Sequence, residues 1–179
     1  MIDTNGRIAL IAYLAGHSPE KWIGRTALMK FCYFLQVVKE VPLGYNFTLY
    51  SYGPFDSSVL SDLGNAEAFG VIEESPLLTG YGYKIKSVVP TDDLNELGGQ
   101  FLRKFKGSFD WVIREFGAAS VSDLELDSTI IYVDREASDV GNELDEDELS
   151  QQVRDVKPRF SESQIRKHIG ALKEKGLLA

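Results

Sequence analysis

The sequence predicts an α+β fold that is mainly helical, with winged-helix-like helices, a small β-hairpin and a C-terminal helical part. Three observations carry this expectation. Apolar residues recur at helical spacing over long segments, as in "GRTALMKFCYFLQVVKE". Two short runs, "GVIEESP" and "YGYKIKSVV", read as strands joined by the turn "LLTG". A helix placed directly before such a hairpin has the order of a winged-helix module, with Gly80 to Lys86 as the wing.

Size and composition bound the rest. A chain of 179 residues with 44% hydrophobic and 26% charged side chains is of ordinary globular type. At that length about 70% of the unfolded surface is typically buried, so no staple is required. Cys32, in "LMKFCYFLQ", is the single cysteine, which excludes an internal disulfide, and with two histidines it makes a poor zinc inventory. Its apolar neighbours predict a buried structural thiol. The N-terminal "MIDTNGRIALIAYLAG" lacks the basic lead and small-residue cleavage site of a secretion signal. No run approaches the roughly 18 apolar residues of a membrane span. A cytoplasmic location and no membrane partner are expected.

In chain order, a first helix is expected over Arg7 to Ala15, apolar on nearly every side, with Gly16 as its stop. In the second, Leu28, Phe31, Leu35 and Val38 share one face, and Tyr33, Phe34 and Val37 add another, so it must be covered from two directions. Pro42 and Gly44 end it. "YNFTLYSY" reads as a short strand or extended arm, and Gly53-Pro54 as a turn. Asp56 is placed to cap the next helix by accepting from the amide of Ser58 or Val59, with Phe55 and Leu60 as a hydrophobic staple. Glu73-Glu74 reads as a solvated strand end. Thr91-Asp92-Asp93 is expected to cap a helix reaching Phe116, with Leu94, Leu97, Phe101, Phe105, Phe109 and Val112 on one face.

A further helix, "VSDLELDSTIIYVDRE", leads to an acidic block. The closing "KPRFSESQIRKHIGALKEKGLLA" contains a capping box (Ser161 and Gln164) and a staple (Phe160 and Ile165). Its stripe is Ile165, Ile169 and Leu172, and Gly176 is its stop.

The net charge of −8 is uneven. Residues 1–133 carry 11 basic and 16 acidic side chains, 134–149 carry 1 and 8, and 150–179 carry 7 and 3. The chain is therefore divided into a first domain over 1–133, an acidic connection over 134–150 and a helical tail over 151–179 packing on the same domain. The acidic block reads as a solvated, mobile connection or as a docking strip for a basic partner. The basic tail reads in two ways: a solvated helix face, or a recognition helix contacting nucleic acid through Arg166, Lys167, Lys173 and Lys175. A pI near 4.8 works against the second, because non-specific duplex affinity needs several phosphate contacts.

Chemistry finds little support. His17 and His168 lie far apart, no nucleophile elbow flanks a serine, and each histidine reads as a surface or helix-packing residue. "DEDE" at Asp145–Glu148 lacks the EF-hand glycine and following ligand. The turn at Gly53 lacks the glycines and lysine of a phosphate cradle. No catalytic residue, cofactor or metal site is expected.

Two blocks, "LMKFCYFLQ" and "FTLYSYGPFDSSVLSDL", resemble the Panacea (SocA-like) antitoxin domain, which pairs a helix of the form "LxKLxYFxq" with an aromatic arm ending in "YGPv". More closely, "GYNFTLYSYGPFD", "LELDSTIIYV" and "KPRFSESQIRKHIGALKEKGLL" resemble the YwgA-type proteins of bacteria and archaea, so the likeness runs from residue 25 to 178. The resemblance implies a small, mostly helical, non-catalytic domain that binds and neutralises a protein partner, such as a toxin encoded nearby. It places Lys30, Tyr33, Tyr52, Gly53, Pro54 and Phe55 on the characteristic positions, as a partner-binding groove. The leading expectation is thus antitoxin-like neutralisation, and the alternative is a winged-helix DNA-binding regulator.

Overall fold

The computed structural model describes residues 4–179. The chain forms two compact units. The first comprises the chain up to Thr48 together with Phe55–Ala119, and the second comprises Leu49–Pro54 together with Ser120–Ala179. The expected boundary near residue 133 therefore falls inside a helix, α5 (Val121–Asp139).

In the first unit, α1 (Thr4–His17) outruns its expected limits at both ends, and Ile8 to Ala15 are all buried, as an all-round apolar helix requires. It packs against α3 (Ser57–Ala68) and α4 (Thr91–Phe116). Helix α2 (Arg25–Val37) is buried continuously from Leu28 to Leu35, which includes Cys32. The Phe34 ring stacks on Phe116 with centroids 4.1 Å apart, so α2 and α4 share a core. A buried polar node holds α1 to α3: Asp62 Oδ2 accepts from Arg7 Nε at 2.7 Å and from the Tyr45 hydroxyl at 2.9 Å. A carboxylate that deep is tolerated because a cation and a hydroxyl both face it.

Strands β1 (Ile23–Gly24), β4 (Ile72–Pro76) and β5 (Tyr83–Ser87) form an antiparallel sheet in the order β1-β5-β4, so the expected hairpin is present. Ile85 faces Ile23 on one side and Glu74 on the other. Glu74 is not a solvated strand end. Both its carboxylate oxygens are bonded by the Arg25 guanidinium, which lies 3.9 Å from the Tyr83 ring centroid. Strand β4 is the sheet edge, and its Glu74 amide, which points away from β5, donates to Glu67 Oε1 of α3 at 3.3 Å.

Asp56 caps α3 as its spacing implies: one oxygen accepts from the Ser58 amide at 2.7 Å, the other from the Asn46 amide at 2.5 Å. Burial opposes its ionisation, but these two amides hold its carboxyl below the usual carboxylate range. Leu60, the expected staple residue, is exposed.

Helix α4 departs from expectation twice. Its N-cap is Pro90, with no side chain closing the first turn, so Thr91, Asp92 and Asp93 are helical rather than capping residues. It also breaks at Gly99, whose φ of 53° and ψ of −133° are not helical. The break resets the buried face. Leu94, Gly98 and Leu102 are buried around it and Phe109, Val112 and Phe116 beyond it, whereas Leu97, Phe101 and Phe105 are only half-buried.

In the second unit, α5 packs against α6 (Glu146–Val156) and α7 (Glu162–Glu174), and α6 against α7. Both ends of the acidic block are helical: α5 runs through to Asp139, and the block's end builds the start of α6. Asp145 and Glu148 form a capping box there, with Glu146 and Asp147 in the first turn where the helix dipole favours negative charge. Helix α7 has the expected Ser161–Gln164 box and the buried Ile165, Ile169 and Leu172. Beyond its C-cap Lys175, Gly176 takes φ of 65°, and the Leu177 amide folds back to donate to the Leu172 carbonyl.

Candidate functional site

Gly53-Pro54 is not the turn. The chain turns at Ser51 and Tyr52, between β2 (Thr48–Tyr50) and β3 (Gly53–Phe55), so Gly53 starts the returning strand. What secures this hairpin tip lies within the second unit, and it begins with a proline. Pro158 disfavours helical backbone at the residue before it, so α6 ends at Val156 and Lys157 takes φ −133° and ψ 62°. Lys157 Nζ donates to the carbonyl oxygens of Tyr50 at 3.1 Å and Ser51 at 2.5 Å. It also lies 3.2 Å from Glu125 Oε1 of α5. The other Glu125 oxygen accepts from Arg159, whose guanidinium sits 4.6 Å from the ring centroid of the buried Phe160.

Gly53 completes the attachment. It has φ of 89°, and a Cβ there would lie 2.9 Å from Ser128 Oγ and 3.3 Å from Thr129 Oγ1. Both hydroxyls donate to the Glu125 carbonyl, at 3.1 and 2.8 Å, so they cannot swing aside without breaking those bonds. Only glycine allows the strand to lie this close to α5 in that conformation.

The result is a tip tied down through its backbone, with both of its rings largely exposed. Tyr50 and Tyr52 are 66% and 65% exposed, and Leu49 between Thr48 and Tyr50 is half-buried, as strand alternation requires. A tyrosine offers a large apolar ring with a polar tip, and a fixed backbone lowers the entropic cost of binding through it.

The remaining expected residues are placed as follows. Pro54 is buried in the second unit, and Phe55 is half-buried in the first. Lys30 and Tyr33 are each 2% exposed within the first unit, where the Tyr33 ring meets Phe47 edge-on at 5.3 Å, so neither offers an open surface. On α7, Arg166 is paired with Asp147 Oδ1 at 2.7 Å and Glu162 Oε1 at 2.9 Å, while Lys167, Lys173 and Lys175 are exposed. His168 joins α7 to α5: its Nδ1 lies 2.7 Å from Asp127, and that bond, opposed by burial, raises the pKa of the ring. His17 stacks on Tyr13 at 3.9 Å and bonds the Tyr13 carbonyl. Burial pushes the Cys32 thiol far above its ordinary value, so it stays protonated and unreactive. Among the described residues, no group of three or more His, Cys, Asp or Glu is placed to hold a metal ion, and no helix is long and apolar enough to cross a membrane.

Sequence reasoning missed Glu125, Lys157 and Arg159 as a unit. One signal was present: Glu125, Ser128, Thr129 and Tyr132 recur at helical spacing on α5, a polar stripe that needs partners wherever it is buried. Neither a protein-family model nor a curated protein matches the chain.

Proposed function

We propose that this chain is a non-catalytic regulatory protein that binds a protein partner, with antitoxin-like neutralisation as the leading form of that role and the Tyr50–Tyr52 tip as the docking element. The observation that carries the reading is the exposure of both rings on a turn whose carbonyls are held by a buried lysine. Resemblance of "LYSYGPFD" and its companion blocks to the Panacea domain supports the same role. The test is co-expression with the product of the adjacent open reading frame, scored by growth and by affinity of the purified pair. Tyr52→Ala should cost about 2 kcal/mol of binding, as for an interface hot spot, and leave the folded fraction unchanged. If Tyr50→Ala and Tyr52→Ala both keep full affinity, the tip is structural.

One observation favours a second reading, a DNA-binding regulator of winged-helix type. The order α1-β1-α2-β2-β3-α3-β4-β5, with sheet order β1-β5-β4, has the hairpin wing after a third helix. Yet α3, "SSVLSDLGNAEA", contains no lysine or arginine with which to meet phosphates. Duplex binding at physiological salt should therefore be weak or absent, and sub-micromolar, steeply salt-dependent binding would install this reading instead.

A further inference from the structure

We infer that the partner segment received at the hairpin tip is acidic and that Arg159 is the residue selecting it; this rests on the docking role proposed for Tyr50 and Tyr52. The argument is one of charge. A single buried carboxylate, Glu125, faces two cations, Lys157 and Arg159. Lys157 Nζ donates to the carbonyls of Tyr50 and Ser51 and forms an ion pair with Glu125 Oε1 at 3.2 Å, and only 5% of its side chain is accessible. Its charge is thus turned inward and balances Glu125.

Arg159 is different. It touches the same carboxylate through one arm of its fork, is steadied over the Phe160 ring, and has 54% of its side chain in water. A guanidinium carries five N–H donors, so this one keeps an unmatched charge and open donors beside the tip. Its carboxylate partner Glu125 pairs in turn with Lys157, which holds the tip carbonyls. In a chain of net charge −8, an exposed guanidinium on the carboxylate that pairs with the lysine holding the tip complements a carboxylate-bearing segment, and the exposed tyrosines of the tip suit apolar neighbours in that segment.

A nucleic acid is the less suitable anion. Its affinity comes from many phosphate contacts, and the carboxylate that holds the tip lysine carries one exposed guanidinium.

The experiment pans a display library of random short peptides against the full chain, with the Tyr52→Ala chain as counter-selector. Peptides that require Tyr52 should be enriched in Asp and Glu. A synthetic peptide from that pool should lose about tenfold in affinity against Arg159→Gln, regain most of it against Arg159→Lys, and weaken with salt. Circular dichroism of each variant confirms folding before binding is compared. Tyr52-dependent peptides that are neutral or basic, or acidic ones indifferent to Arg159→Gln, overturn the acidic selection but leave the docking role standing. A complete lack of Tyr52-dependent peptides overturns the docking role itself. Displacement of the peptide by a duplex oligonucleotide overturns the choice of a protein segment.

Discussion

Lys157 and Glu125 form an ion pair with 3.2 Å between Nζ and Oε1 and with only 5% and 1% of the two side chains accessible. Removing one member of such a pair strands the other charge out of water, which typically costs about 3–5 kcal/mol. Lys157→Met should therefore lower the unfolding free energy by about 3 kcal/mol in urea titrations, with Arg159 limiting the damage to Glu125. Glu125→Gln combined with Lys157→Met should cost less than the sum of the single changes, because the stranded charge is gone. Strict additivity would show that the two side chains are not energetically coupled.

His168 makes stability depend on pH. Its bond to Asp127 is the main cause of a raised pKa in the folded state. The imidazolium is thus favoured by folding. Its contribution is fully present below the unfolded value of about 6.5 and is lost as pH rises through the folded pKa. Urea midpoints measured from mildly acid to mildly alkaline pH should fall across that window, and Asp127→Asn should flatten the fall. An equal slope in the variant would assign the dependence to other groups.

Two glycines should respond oppositely to alanine. At Gly53 the added Cβ meets the Ser128 hydroxyl at 2.9 Å and the φ of 89° is strained for any side chain, so Gly53→Ala should destabilise by about 1–3 kcal/mol. At Gly64, exposed within α3, an added Cβ meets nothing within 4 Å. Gly64→Ala should stabilise by about 1 kcal/mol. Thermal unfolding of the two variants separates these effects directly.

Cys32 should resist thiol reagents in the native state. It is fully buried and burial disfavours its thiolate. Labelling by a disulfide reagent should proceed only as fast as the first unit opens and should accelerate in urea in step with unfolding. Rapid labelling in buffer would mean that α2 is loosely packed.

Local physics made much of the fold legible. The Asp56 cap, the Ser161–Gln164 box and the buried Leu28, Phe31 and Leu35 of α2 are determined by near neighbours in sequence and found where their spacing placed them, whereas Val38, expected on the same face, is the half-buried C-cap. The break at Gly99 was not legible, because the alternatives at a Gly-Gly pair differ by less than the packing energy that chooses between them. In the acidic block the helix start was overlooked, because charge density drew the reading away from the way Asp145 and Glu148 answer each other across one helical turn. At the candidate site the rings of Tyr50 and Tyr52 were visible as a motif. Their support was not, because Glu125 and Lys157 are distant in sequence from the turn and from each other.

The Glu67 carboxylate seated on the Glu74 amide has a consequence for how this protein behaves in concentrated solution. Strand β4 ends its sheet, and an open strand edge is a template on which further chains can add, ladder upon ladder, toward fibrils. One acidic side chain from α3 occupies the donor on which such growth would begin, and it presents a like charge to any approaching copy of itself. Glu67→Ala would leave the monomer nearly as stable while shortening its shelf life, a loss seen in light scattering over days and missed by a melting curve.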